Sequence, residues 1–155
     1  MSFLVAACGY TSRSLLKQNV NTIYIPIFEN QSYRRGLEFD MTNAFKNEIL
    51  FKTRLKVVDK DRADSIFYGI ITDVKESVLI EDFQANIAQS SVIVFMNFKW
   101  VDRRTGRIIV EKQNIQQRAE FSPRRVVGKE DIGTAERKAF VYLAERLKQL
   151  MEEGW

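Results

Sequence analysis

The only cysteine of the chain, Cys8, closes the run Val5-Ala6-Ala7-Cys8 and is followed by Gly9 and Tyr10. An aliphatic residue and two small residues ahead of a cysteine form the pattern of a lipobox. There the small side chains fit a signal peptidase, and the thiol receives a lipid before cleavage. The mature protein would then start at Cys8 and hang from a membrane by acyl chains, each buried methylene adding about 0.8 kcal/mol. The competing reading is a chance cysteine, and a position ahead of any folded element stands against it. Other chemistry is thinly supplied. The chain has no histidine, so the commonest general base and metal ligand are missing. A Cys/His zinc site and a Ser-His-Asp triad are both excluded. The carboxylates Asp40, Glu48, Asp59, Asp61, Asp64 and Asp73 fall at solvated helix and turn positions, with no pair singled out. We therefore expect a protein that is not an enzyme and that needs no cofactor and no metal.

Length and composition agree with that reading. A chain of 155 residues with 45% hydrophobic content suits one domain around one core. One cysteine excludes an internal disulfide framework. No apolar run approaches the ~20 residues that a spanning helix needs. The net charge of +4 allows an acidic partner without calling for nucleic acid. Residues 1–7 read as the end of a leader, 8–20 as a polar tether, and 21–155 as the folded domain.

The elements that would position any site follow from hydrophobic periodicity. Thr22 to Phe28 reads as a strand rich in β-branched and aromatic residues, with Pro26 placing it near an edge. Leu37, Met41, Phe45 and Ile49 recur every four residues and predict a helix over 37–51. Leu55 to Val58 is a short strand, and Ser65 to Val74 a third one that could continue to Ile80. Ile66, Tyr68, Ile70, Thr72 and Val74 share one of its faces. Gln89 to Asp102 and Arg107 to Ala119 form a long hairpin around Arg103-Arg104-Thr105-Gly106. A type I turn with left-handed Gly106 pairs Arg103 with Arg107, Lys99 with Glu111 and Trp100 with Val110. Val94, Met96, Phe98, Trp100 and Val110 then share one face. Ile93, Phe95, Asn97, Lys99, Ile109, Glu111 and Ile115 share the other. Ile132, Ala135, Ala139, Leu143, Leu147 and Leu150 make one stripe of a final helix over about 130–153.

The order β-α-β-β-β-β-α predicts an α+β, two-layer sandwich. Two amphipathic helices pack on one face of a mixed β-sheet, and a long hairpin supplies most of that sheet. The opposite sheet face is left partly bare, with Ile93, Phe95 and Ile115 among polar residues. These are either scattered surface apolars or a partner surface.

Read together, several stretches resemble the lipopolysaccharide-assembly lipoprotein family LptE. They are Cys8-Gly9-Tyr10, the strand and loop from Asn21 to Asn30, Gly36-Leu37-Glu38, Leu55 to Asp59, Ala63-Asp64, and the turn Arg103 to Gly106. The resemblance implies a lipoprotein of the outer membrane facing the periplasm. It implies an LptD β-barrel as partner, which the lipoprotein plugs, and lipopolysaccharide as ligand. Gly9 after the cysteine is compatible with outer-membrane sorting. The family places a functional basic residue in the loop before the last helix, and Lys129 looks like that position, with Arg124 and Arg125 nearby. Such residues suit lipid phosphates, because Arg forms bidentate charge-assisted bonds and Lys acts as a point charge. The family's other basic position follows a phenylalanine before the fourth strand. Here Gln84 follows Phe83, so that charge is missing. The alternative function is a periplasm-facing lipoprotein of another envelope machine, a synthase activator or a secretion accessory, with a similar domain.

Overall fold

The structure is a computed structural model that describes residues 20–81, 87–121 and 132–155. Cys8, Phe83, Gln84, Arg124, Arg125 and Lys129 lie outside the described residues. The elements are β1 (Thr22–Tyr24), β2 (Glu29–Asn30), α1 (Leu37–Lys52), β3 (Lys56–Val57), β4 (Ser65–Glu81), β5 (Ile87–Asp102), β6 (Ile108–Phe121) and α2 (Ile132–Gly154). The sheet is mixed and runs β3-β1-β4-β5-β6, with β2 pairing β4 farther along that strand. Pairings among β1, β2, β3 and β4 are parallel, and the long β4, β5 and β6 are antiparallel. This is the expected α+β arrangement.

Both helices lie on one sheet face. Phe67 and Trp100 sit opposite each other in the β4–β5 register and are fully buried. The α1 ring Phe45 lies 4.3 Å from Phe67, which stacks on Phe98 at 4.9 Å. Trp155, just past α2, meets Trp100 edge-on at 5.0 Å. Such aromatic pairs add about 0.5–1.5 kcal/mol beyond their buried area. The helix stripes fall where periodicity puts them. Met41, Phe45 and Ile49 of α1, and Ala135, Ala139, Leu143 and Leu147 of α2, are fully buried.

The expected first strand is split in two. Pro26 has no N–H for a ladder, and the chain leaves the sheet after Tyr24 and rejoins it at Glu29. Between them Ile25 and Phe28 drop into the core, and the Phe28 N–H donates to the buried Thr42 hydroxyl at 2.9 Å. Gly69 follows from this packing. A Cβ there would meet the Phe28 ring at 2.8 Å as well as the Met96 methyl.

Irregular pairing in the long strands decides which side chains face outward. A register shift between Ile71 and Asp73 interrupts the alternation of β4, so Val74 packs against the core while Tyr68 stays on the outer face. In β6, Met96 faces Ile115 while Phe98 faces Lys112, which leaves one extra residue in β6. That bulge is held by Asn114 in a left-handed conformation (φ 56°), its N–H donating to Asn97 Oδ1 at 2.8 Å. Ile115 is therefore turned onto the helix side and is only 9% exposed. The expectation that it shares the outer face with Ile93 and Phe95 is corrected by this bulge. Near the turn, Lys99 pairs with Glu111 and Trp100 with Val110 as expected, but Val101 pairs with Ile108. Ile109 packs against the core instead of outward. The turn closes between the Asp102 N–H and the Arg107 carbonyl at 2.9 Å, not between Arg103 and Arg107. Gly106 is left-handed as predicted (φ 69°).

Candidate functional site

The sheet face away from the helices carries a shallow groove of about 800 Å³. Alternation along β4 and β5 sends Tyr68, Ile70, Asn97, Lys99 and Val101 to its floor and walls. The pairing shift at Ile109 adds Ile108, which is 53% exposed, and the excursion after β1 adds Ile27 at 56%. Lys99 faces Glu111 across the β5–β6 pair, and its ammonium lies 5.9 Å from the Tyr68 ring centroid. The lining is thus apolar spots around opposed charges and amides, Glu29, Asn97, Lys99, Glu111 and Gln113. An apolar ligand would leave these polar groups unpaired. A protein surface with its own mixture of hydrogen-bonding and apolar groups would not.

Ile93 and Phe95 lie on the same outer face, farther along the hairpin. Both are half-buried, and the Lys75 ammonium lies 5.2 Å from the Phe95 ring. Of the three candidate partner-surface residues these two are brought together, and Ile115 is not. Sequence reading missed Ile27, Tyr68 and Ile108 as members of this surface. Tyr68 was legible through alternation, while Ile108 depends on a pairing shift that has no distinctive residue.

At the helix-start end, the polar loop between β2 and α1 is tightly bonded, although its sequence carries no packing signal. The Asn30 amide donates to the Arg34 carbonyl (2.6 Å) and to Glu38 (2.8 Å), and its oxygen accepts from Ser32 N–H (3.0 Å) and hydroxyl (2.7 Å). Arg34 reaches Glu136 on α2 and Glu76 on β4, the latter at 3.5 Å. The loop thereby ties sheet and both helices together and leaves Tyr33 fully exposed. The Glu38 carboxyl is held below its ordinary range by its own backbone N–H, then by the Asn30 amide. The Asn30-x-Ser32 spacing of an Asx turn is the signal that could have found this frame.

At the other end, Asp64 fixes β1 against β4. Its carboxylate accepts from the N–H groups of Asn21 and Thr22, each at 3.1 Å, and from the Thr22 hydroxyl at 2.9 Å. Burial pushes the carboxyl pKa up, but these donors and the Arg104 guanidinium outweigh it and hold the group below the usual aspartate range. Its role is structural. Among the described residues no group of three or more His, Cys, Asp or Glu could hold a metal ion. No described helix is long and apolar enough to cross a membrane.

Comparison with known proteins adds to this geometry. The family LptE, Lipopolysaccharide-assembly, matches residues 20–151. No curated protein matches the sequence significantly. Among solved structures, rare lipoprotein B from Shewanella oneidensis is similar with TM-score 0.53 at 19% identity, covering 81% of this chain and 93% of that one. A minor lipoprotein from Acinetobacter baumannii has TM-score 0.54 at 11% identity, covering 86% and 92%. The PelC dodecamer from Paraburkholderia phytofirmans has TM-score 0.53 at 7% identity, covering 81% and 86%. At these identities the likeness is one of fold.

Proposed function

The chain belongs to the lipopolysaccharide-assembly family LptE, and from that premise we propose that it plugs an LptD β-barrel of the outer membrane and binds lipopolysaccharide there. In this reading Cys8 is acylated and anchors the protein at the periplasmic face. The role is non-catalytic: the protein holds the barrel partner and presents basic residues to the lipid.

The observation that carries the reading is the character of the uncovered sheet face. The lumen of a membrane barrel is polar, and plugs that fill it meet hydrogen-bonding side chains. A face of Tyr68, Ile70 and Ile108 set among Asn97, Lys99, Glu111 and Gln113 suits such a wall. A wholly apolar face would suit lipid or an obligate dimer instead. The alternative, a periplasm-facing lipoprotein of another envelope machine with a similar domain, predicts a different partner on the same surface.

Lys129, Arg124 and Arg125 are the proposed contacts for lipid phosphates, in the stretch that leads into α2. Lys129→Glu is expected to reduce lipopolysaccharide binding, and the binding of the parent should weaken with added salt. The measurement is a binding assay run beside a thermal melt and a co-purification. Unchanged lipid binding by a folded variant would remove Lys129 from the site. Loss of the barrel complex together with lipid binding would show a structural effect instead.

A further inference from the structure

The pole of the domain where the tether enters combines exposed aromatic and cationic groups. Val20 opens the described domain and lines a groove of about 700 Å³ with Phe51, Lys52, Arg54, Lys148 and Trp155. Phe51 is 80% exposed, and Leu50 beside it 51%. Backbone bonds gather further positive charge at this end. The Asn21 carbonyl accepts from the Lys56 N–H at 3.0 Å, just past α1. The Asn21 N–H donates to Asp64, whose carbonyl accepts from the Arg103 N–H at 2.8 Å. The turn carrying Arg103, Arg104 and Arg107 therefore belongs to the same pole. Of the acids there, Asp59 pairs with Arg62, Glu152 with Lys148, and Asp64 accepts from Asn21 and Thr22, while Asp61 and Glu153 are exposed and are outnumbered by the basic residues of this end. Lys52, Arg54 and Arg107 are exposed and form no ion pair among the described residues.

We propose that this pole docks on the surface of an anionic phospholipid bilayer. Phe51 and the ring of Trp155 sit at the headgroup boundary, while Lys52, Arg54 and Arg107 meet lipid phosphates. Two features commit the surface to that occupant. Its charge complements an anionic membrane, and exposed aromatics beside basic side chains are the composition of interfacial anchors. The chain also leaves the domain here toward Cys8, twelve residues before Val20, which limits the reach to about 40 Å. That second point rests on the reading of Cys8 as the lipid anchor; the first does not. The domain would thus be oriented on the membrane by its own contacts, with the sheet groove held at a fixed attitude to the barrel.

The test uses the full chain carrying Cys8→Ser, so that acyl chains play no part, and vesicles without lipopolysaccharide. The chain is expected to co-sediment with vesicles of equal parts phosphatidylglycerol and phosphatidylcholine, and only weakly with phosphatidylcholine alone. Reversing Lys52 and Arg54 together to glutamate should lower partitioning by about 25-fold or more, since each basic residue near such a surface is worth about fivefold. Arg35→Glu with Arg137→Glu makes the same change in net charge at the opposite pole and should leave partitioning within about fourfold of the parent. Brominated phospholipid should quench the tryptophan emission of the parent, because the half-buried Trp155 and the Trp100 ring it touches both lie at this pole, a readout that needs no variant to fold. Absence of binding to anionic vesicles, equal loss from both pairs of reversals, or unquenched tryptophan emission on bound vesicles would each overturn the proposal. None of these outcomes bears on co-purification with a barrel, which is measured separately.

Discussion

Asp64 shows how one carboxylate can hold two strands in place. It accepts three hydrogen bonds from Asn21 and Thr22, and its own N–H donates to the Thr22 hydroxyl at 2.8 Å. Asp64→Ala leaves those donors without their charged acceptor and is expected to cost about 1–3 kcal/mol, measured by denaturant unfolding. Its pKa is lower in the folded state than the ordinary value near 3.9. Its contribution is therefore full above about pH 4 and is lost as pH falls through the lower folded value. The parent should lose stability on acidification through that window, and Asp64→Ala should lose less. An identical acid limb in both proteins would show that Asp64 does not titrate as argued. Much at this scale was hidden in the sequence. Asp64 reads as a solvated turn carboxylate until Thr22 is brought beside it. Ile115 reads as an outer-face residue until Asn114 takes its left-handed turn, and asparagine is common enough in strands and turns that nothing marks the bulge beforehand.

Helices were the most legible elements, because a stripe repeating every three or four residues has one way to be buried. Leu143 is central to α2 and fully buried, so Leu143→Ala should destabilise by about 2–5 kcal/mol. A loss below about 0.5 kcal/mol would place it outside the core. Strand positions were legible too, but their faces were not, since alternation reverses at every bulge. Asn114 gives a direct check on one of them. A β-branched residue in the left-handed region is strained by roughly 1–2 kcal/mol. Asn114→Val should therefore destabilise by about that amount and Asn114→Gly should be nearly neutral, as read from thermal melts of both. Equal behaviour of the two would mean that the bulge does not depend on this conformation. The break between β1 and β2 is the element-scale case that Pro26 announced: a strand was expected to sit or end near it, and the chain leaves the ladder there.

For the whole molecule, two helices close one side of the sheet and leave the other uncovered, while the tether pole and the helix-start pole lie at opposite ends. Lipopolysaccharide assembly enters through the family match over residues 20–151, because no catalytic or metal-binding pattern in the chain names a function by itself. Order and spacing of strands and turns made that family visible in the sequence. The proposed partner surface was visible only in outline, since Ile93 and Phe95 mark the open face but the groove around Tyr68, Lys99 and Ile108 is assembled by packing. The central claim is that this face is occupied by a barrel, and the most direct measurement is affinity purification of the full-length protein from detergent-solubilised native membranes. The account predicts one stoichiometric β-barrel partner, identified by mass spectrometry as LptD and lost when Tyr68→Glu and Ile108→Glu are combined in a chain that still folds. Recovery of no barrel, or of a different envelope assembly on the same surface, would contradict it.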